Sequence, residues 1–380
     1  MRLTLKPAVC AVLVLAGLSA RLSVCRAATD ADAPKRPNIL FIFTDDQSWN
    51  TLSCYQGRSW VRTPNIDRLA EMGTRFTYAY GGAWCSPSRA CVLTGLLPHG
   101  IQGLRLTAVL KGEYDPAVCR FWPAELRKAG YETAMIGKWH VGSDSGHGRD
   151  WDHSVVWDQK DIRGDWYNDQ ILSIDGAPKR VVPGYSTDNY TRFAVDFIQR
   201  DHAKPWLLWL CYNAPHLPNT VHARHRTRYE DVEVPVPSDI FGPRPAKPGY
   251  MRDFTQWERP GPGEHTPIHR GQTLPEYVRD VSRLVCALDE GVGRLLEALD
   301  RTGQLANTMI VYTSDQGFAI GERGFCWKVG PYEACMRAPM IVSLPGVVAK
   351  GAVCDHPVGV VDLPPTFFAL AGAPTPWAMH

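Results

Sequence analysis

The sequence predicts an α/β fold, a large mixed, mostly parallel sheet sandwiched between helices. Short apolar runs rich in β-branched and aromatic residues alternate with amphipathic helical patterns, the order that builds such a sheet. Four polar clusters, TDDQ, KWH, APH and DQG, each follow directly on one of those runs, and open α/β sheets bind ligands at the carboxyl ends of their strands. With 44% hydrophobic and 21% charged residues in 380, the chain also has the composition and length for one substantial core.

Taken in order, RPNILFIF (36–43) is a buried strand stopped by TDDQ. TPNIDRLAEMG (63–73) has a Thr cap, a Pro in the first turn and a closing Gly, so it is a helix. FWPAELRKAG (121–130) is a second helix, feeding the strand YETAMIG (131–137) and then KWH. STDNYTRFAVDFIQR (186–200) is helical, and PWLLWLCYN (205–213) is a buried strand that ends in APH. LPEYVRDVSRLVCALDEGVGRLLEALDRTG (274–303) is a long amphipathic helix, NTMIVYTS (307–314) a strand before DQG, and DLPPTFFALAG (362–372) the last helix. Two stretches, 144–186 and the Pro-, Arg- and His-rich 217–273, lack periodicity and read as functional loops.

The first residues place Arg2 and Lys6 before an apolar run over 8–20, closed by Arg21 and followed by Ala27 and Ala28. That is a secretory signal over 1–28 rather than a transmembrane segment, leaving one catalytic domain over 36–380 of an exported, periplasmic or secreted protein. Val24 in LSVC stands against lipid anchoring at Cys25. A net charge of +2 predicts no nucleic-acid partner, so any anionic ligand is handled locally. Of 11 cysteines, Cys10 and Cys25 fall in the leader. The odd remainder leaves one thiol over after Cys54, Cys91, Cys119, Cys211, Cys286, Cys326, Cys335 and Cys354 have supplied a disulfide or two, and Cys85 is the candidate.

The clusters carry the chemistry. Adjacent carboxylates Asp45 and Asp46 repel unless a cation lies between them, although, taken alone, a helix cap or solvated turn is the commoner reason for such a pair. Asp315 and Gln316 add oxygen at a second strand end, an all-oxygen set that suits Ca2+ or Mg2+ better than zinc. Lys138 and His140 flank Trp139 and face one side if that indole packs inward. His216 alone reads as a structural loop histidine, and Lys328 as a surface lysine. In WCSPSRACVLTG (84–95), Pro87 and Ser88 open a helix whose amides favour an anion, and Arg89 adds a planar guanidinium. Cys85 at that position is either a reactive thiol of depressed pKa or a buried thiol beside a structural Arg89 ion pair.

CSPSRACVLTG resembles the C-x-P-S-R-x-x-x-L-T-G signature of type I, formylglycine-dependent sulfatases of the alkaline phosphatase superfamily. The likeness runs on in family order through NILFIFTDDQ, TPNIDRLAEMGTRFTYAY, GYETAMIGKWHVG, NAPH, the 287–317 region and DLPPTFF. It implies that Cys85 is oxidised to formylglycine by a formylglycine-generating enzyme that reads Pro87 and Arg89. It implies that Asp45, Asp46, Asp315, Gln316 and residue 85 hold one divalent cation, Ca2+ rather than Mg2+. One hydroxyl of the hydrated aldehyde then attacks sulfur, and His140 takes the proton of the second so that sulfate leaves. Arg89 and Lys138 fix the nucleophile, while His216 and Lys328 hold the sulfate and protonate the leaving oxygen.

Gln316 stands where many members have Asn or His, and the chain stops at GAPTPWAMH where the family continues into a smaller C-terminal subdomain, expected to be missing. The aromatic and basic content of the long loops implies a sulfated glycan as substrate, with 147–159 setting specificity. Two readings compete: a phosphonate monoester or phosphodiester hydrolase of the same superfamily, and a catalytically silent metal- or polyanion-binding protein.

Overall fold

The computed structural model describes residues 36–101, 117–158, 165–261 and 266–380. The signal expected over 1–28, with Cys25, lies outside the described residues. Strand β1 (Asn38–Thr44) is followed by β2 (Thr74–Tyr80), β3 (Glu132–Lys138), β4 (His153–Trp157), β5 (Ile171–Ile174), β6 (Arg180–Val181) and β7 (Trp206–Cys211). A small hairpin, β8 (Ile268–His269) with β9 (Gln272–Thr273), precedes β10 (Thr308–Ser314), and a second, β11 (Ala319–Ile320) with β12 (Cys326–Trp327), follows it. The last strands are β13 (Arg337–Ser343), β14 (Ala352–Cys354) and β15 (Val358–Gly359).

Eleven strands make one sheet in the order β14-β2-β13-β10-β1-β7-β3-β4-β5-β6, with β15 also on β2. Strands β10, β1, β7, β3 and β4 are mutually parallel, while β13 pairs antiparallel with both β10 and β2, and β5 with both β4 and β6. The predicted mixed, mostly parallel sheet is therefore present. Its centre is apolar on both faces because β1 sends Leu40 and Ile42 into one core and Ile39, Phe41 and Phe43 into the other.

The helices are α1 (Pro64–Met72), α2 (Cys85–Thr94), α3 (Pro123–Lys128), α4 (Ser186–Ile198), the single turns α5 (Gly249–Arg252) and α7 (Glu333–Met336), the long α6 (Leu274–Arg301) and α8 (Leu363–Leu370). Helices α1, α4 and α6 cover one face of the sheet, and α2, α3 and α8 the other. The length of α6 is supported at its start by a capping box, Thr273 with Glu276, and by Pro275 in the first turn.

Several expectations need correction. The stretch 144–186 holds β4, β5 and β6, and sequence reasoning also passed over β2 and β13. Helix α2 begins at Cys85 with Trp84 as its cap residue, two residues before the expected opening at Pro87. No disulfide forms among the described residues: the nine cysteines are free, and Cys54, Cys91, Cys119, Cys211 and Cys326 are divided among three separate cores as small apolar side chains. The 217–273 stretch is also more ordered than a bare loop. It contributes Val234, Ile240 and Trp257 to a third core with Tyr277, Phe318 and Cys326, and Arg244 staples it through the carbonyls of Asp239, Met251 and Phe254.

Candidate active site

Four parallel strands end at one place. Asp45 and Asp46 leave β1, Lys138 closes β3, the turn to His216 follows β7, and Asp315 and Gln316 follow β10. Parallel register with β7 and β10 on either side of β1 brings these ends level, and Asp45, Asp46 and Asp315 can each offer an oxygen within 4.8 Å of the others. All three carboxylates are buried. From the covering face comes α2, whose first residue is Cys85, buried like nearly every residue of that helix.

Ion pairs knit the cluster. Arg89 Nη2 lies 3.1 Å from Asp45 Oδ2 and 3.7 Å from Asp315 Oδ2, while its Nη1 donates to the Lys138 carbonyl at 2.8 Å. Lys138 pairs with Asp45. Lys328 Nζ reaches both oxygens of Asp46, at 2.7 and 2.9 Å, and the Cys85 sulfur at 3.6 Å. His216 Nε2 stands 3.5 Å from Asp46 Oδ2, with Nδ1 2.6 Å from the Leu217 carbonyl. That carbonyl can only accept, so Nδ1 carries a proton and Nε2 is the nitrogen that faces the cluster. His140 is tied in through its own carbonyl, which accepts from Ser86 Oγ at 2.9 Å, and its Nδ1 is buried without a hydrogen-bond partner. Trp139 does pack inward, fully buried, as Lys138 and His140 require.

The fields are strong. Burial alone raises the Asp45 carboxyl, but Lys138, His216, Arg89 and Lys328 outweigh it and hold it well below the usual carboxylate range. Asp315 goes the other way: burial, then the charges of Asp45 and Asp46, push it well up. Burial and the positive charges of Lys138 and Arg89 push His140 well below the usual imidazole value. Burial raises the Cys85 thiol, yet Lys138 and a hydrogen bond from His216 bring it below its ordinary value. By contrast, burial pushes Cys91, Cys211 and Cys326 up to about 12. The thiol at position 85 is therefore set apart from those three by its neighbours, although it is also buried beside an Arg89 ion pair. Backbone strain gathers here too, with Asp46, His140 and the branched Val329 beside Lys328 all in the left-handed region at φ 63°, 55° and 70°.

A divalent cation fits this donor set. Asp45 Oδ1 and Asp315 Oδ2 are buried with no hydrogen-bond partner, and Asp315 is raised by its burial and by the neighbouring charges of Asp45 and Asp46, which a cation would offset. Gln316 is in place but turned: its Nε2 donates to Asp46 and its Oε1 accepts from Ser88 Oγ at 3.2 Å. A half-turn of the amide brings the oxygen to the carboxylates and leaves the nitrogen on Ser88 Oγ, which can accept as well as donate.

The expected specificity segment is only partly at the site. Residues 147–153 lie at the amino end of β4, where His147 meets Ser154 and Arg149 pairs with Asp144 and Asp150, and only Trp157 and Asp158 reach the carboxyl end. Residue 159 lies outside the described residues. Sequence reasoning passed over Trp166, whose indole stacks on the His216 ring with centroids 4.6 Å apart and planes at 12°. It also passed over the role of Asn213, whose side chain donates to the Trp166 carbonyl. No periodicity marks a stacking residue in an irregular segment.

Residues 37–373 match the family model described as Sulfatase. The chain is 32% identical over 419 residues to the N-acetylglucosamine-6-O-sulfatase of Bacteroides thetaiotaomicron, covering 96% of this chain and 72% of that one. It is 28% identical over 365 residues to the choline-sulfatase of Rhizobium meliloti, covering 89% and 68%. A solved structure of a protein in complex with its substrate D-glucosamine-2-N,6-O-disulfate superposes with a TM-score of 0.79 at 31% identity, covering 91% of this chain and 78% of that one.

Proposed function

The chain belongs to the sulfatase family and is a sulfuric ester hydrolase, and from that premise we propose that it removes 6-O-sulfate from glucosamine-type sugars of a glycan. The proposal includes export, a formylglycine made from Cys85 and one Ca2+ as cofactors. Among the described residues no helix is long and apolar enough to cross a membrane. The observation that carries the reading is the meeting of Arg89, Lys138 and Lys328 with Asp45, Asp46 and Asp315 around Cys85. Three positive and three negative groups cancel, so a bound divalent cation leaves the centre positive for an anionic ester.

Asp45, Asp46, Asp315 and Gln316 would hold the cation, which supplies neutralisation of sulfate charge and a more acidic hydroxyl at residue 85. The hydrated aldehyde supplies two hydroxyls on one carbon, one to attack and one to release. Lys138 and Arg89 fix that group from the side of Asp45. Lys328, held charged because Asp46 and Cys85 outweigh its burial, binds sulfuryl oxygen rather than giving up a proton. His216, partly exposed and with its Nδ1 proton anchored on Leu217, is the acid that protonates the leaving sugar oxygen through Nε2. His140, kept neutral, accepts the proton from residue 85 that accompanies sulfate release.

The test is coexpression with a formylglycine-generating enzyme, mass spectrometry of the tryptic peptide Phe76–Arg89, and assay with Ca2+ on glucosamine 6-sulfate, choline sulfate and a phosphonate monoester. The expected result is an aldehyde at position 85 and preference for the sugar sulfate. Intact thiol beside a matured control, or a preference for either other ester, overturns the reading.

A further inference from the structure

Two side chains of the site share one aromatic surface that the mechanism above does not use. Trp166 stacks on His216, and the same ring lies 5.3 Å from Lys138 Nζ. The indole is itself fixed. Trp157, the last residue of β4, meets it edge-on at 4.9 Å and 68°, and the Trp166 carbonyl accepts from Asn213 and from Gln170 Nε2, the latter at 2.6 Å. The next residue completes the bed: Tyr167, fully buried, donates from its hydroxyl to the His216 carbonyl at 2.5 Å. The His216 amide in turn donates to the Asn213 carbonyl at 3.0 Å. The histidine is thus held by backbone bonds at its main chain, by Leu217 at Nδ1 and by the indole across its plane, which leaves its ring one orientation.

We propose that Trp166 is a positioning residue for the leaving-group step: its indole sets the plane of the His216 ring so that Nε2 points at the ester oxygen, and carries Lys138 beside it. The proposal rests on the assignment of His216 as the acid. An offset or parallel aromatic stack and a cation over the same ring are both attractive in this geometry, so neither group needs a further partner on that side. Leucine in place of the indole keeps apolar volume but removes the flat face, and the imidazole gains rotation about its own Cβ–Cγ bond. An acid that is misaligned costs most when the departing oxygen most needs a proton, which makes the dependence on leaving group the diagnostic quantity.

The experiment compares wild type, Trp166→Leu, Trp166→Phe and His216→Ala, all matured and loaded with Ca2+, on 4-nitrophenyl sulfate and on a sugar 6-sulfate. Trp166→Leu should lose about 10- to 100-fold in kcat on the sugar ester with KM little changed, lose only a few-fold on the aryl ester, and be largely rescued by phenylalanine. Equal losses on both esters, or none, in a variant that unfolds at the wild-type temperature would overturn the proposal. His216→Ala separates the two claims. If it shows the leaving-group dependence and Trp166→Leu does not, the positioning role fails; if it shows none, the acid assignment fails first. A second readout needs no turnover: in the unmatured protein the His216 ring protons, identified by their loss in His216→Ala, should sit upfield through the indole ring current and move downfield in Trp166→Leu. Ring protons that do not move sink the stack itself.

Discussion

His140 shows how far a single side chain is tuned by its surroundings. An imidazole that is largely shielded from water and flanked by Lys138 and Arg89 pays for any added proton, so its folded value lies well below the ordinary 6.5. The sign follows: the neutral base form persists as pH falls through 6.5, and the group is lost as a base only further down. We therefore expect the acid limb of kcat on the sugar sulfate to lie below pH 6.5, and His140→Ala to cost roughly 100-fold or more in kcat. A pH profile of wild type and variant measures both, and an acid limb above 6.5 would exclude His140 as the base. Residues of this kind were legible as letters, because Asp45, Asp46, Lys138, His140, Asp315 and Gln316 all sit just past strands that the sequence marks clearly. Their partners were not: which carboxylate meets Lys328, or that Trp166 underlies His216, depends on loops that approach from more than one hundred residues away or from irregular backbone.

At the scale of the elements, the strands read from the sequence are buried on both faces, although sequence reasoning passed over β13, which is equally buried. Strands β1, β3, β7 and β10 are near-continuous apolar runs because the sheet centre has helices above and below, and each was visible from hydrophobicity alone. Strand β2, half-buried along most of its length, and the short β5 and β6 at the edge carry no such signal, since pairing rather than burial defines them. The close approach of β3 to β7 depends on Gly137, at φ 112°, where an added Cβ would fall 1.9 Å from the Cys211 carbonyl oxygen. Both the left-handed backbone and the contact exclude a side chain, and the residue immediately precedes Lys138. Gly137→Ala should therefore cost at least about 3 kcal/mol in denaturant unfolding, as strain and backbone displacement combine, and lower activity in whatever protein remains folded. A wild-type midpoint for this variant would show that β3 and β7 are not held as closely as the register indicates.

For the whole molecule, the charge cluster is where β1, β3, β7, β10 and helix α2 are tied together, so its neutralisation bears on global stability as well as on chemistry. Without a cation, Asp315 is raised far above its ordinary 3.8 by burial and by Asp45 and Asp46. A raised folded value means that its contribution to stability is full below 3.8 and is lost as pH rises through the folded value. Asp45, held low chiefly by Lys138 against its burial, works in the opposite sense, its contribution being present above 3.8 and lost only in stronger acid. At neutral pH the uncompensated cost is therefore Asp315, and a bound divalent cation removes it. Chelation should lower the unfolding temperature by several degrees at about pH 8, where ligand at a hundred times its dissociation constant contributes about 2.7 kcal/mol, and by less at about pH 5. Asp315→Asn removes the group that titrates, so the chelated variant should lose most of this difference between the two pH values while its affinity for Ca2+ falls. Calorimetry of wild type and variant, with Ca2+ and with chelator, distinguishes the outcomes: an unfolding temperature indifferent to chelator at both pH values would mean that Arg89 and Lys138 already neutralise the carboxylates, and that the strand ends need no ion to stay together.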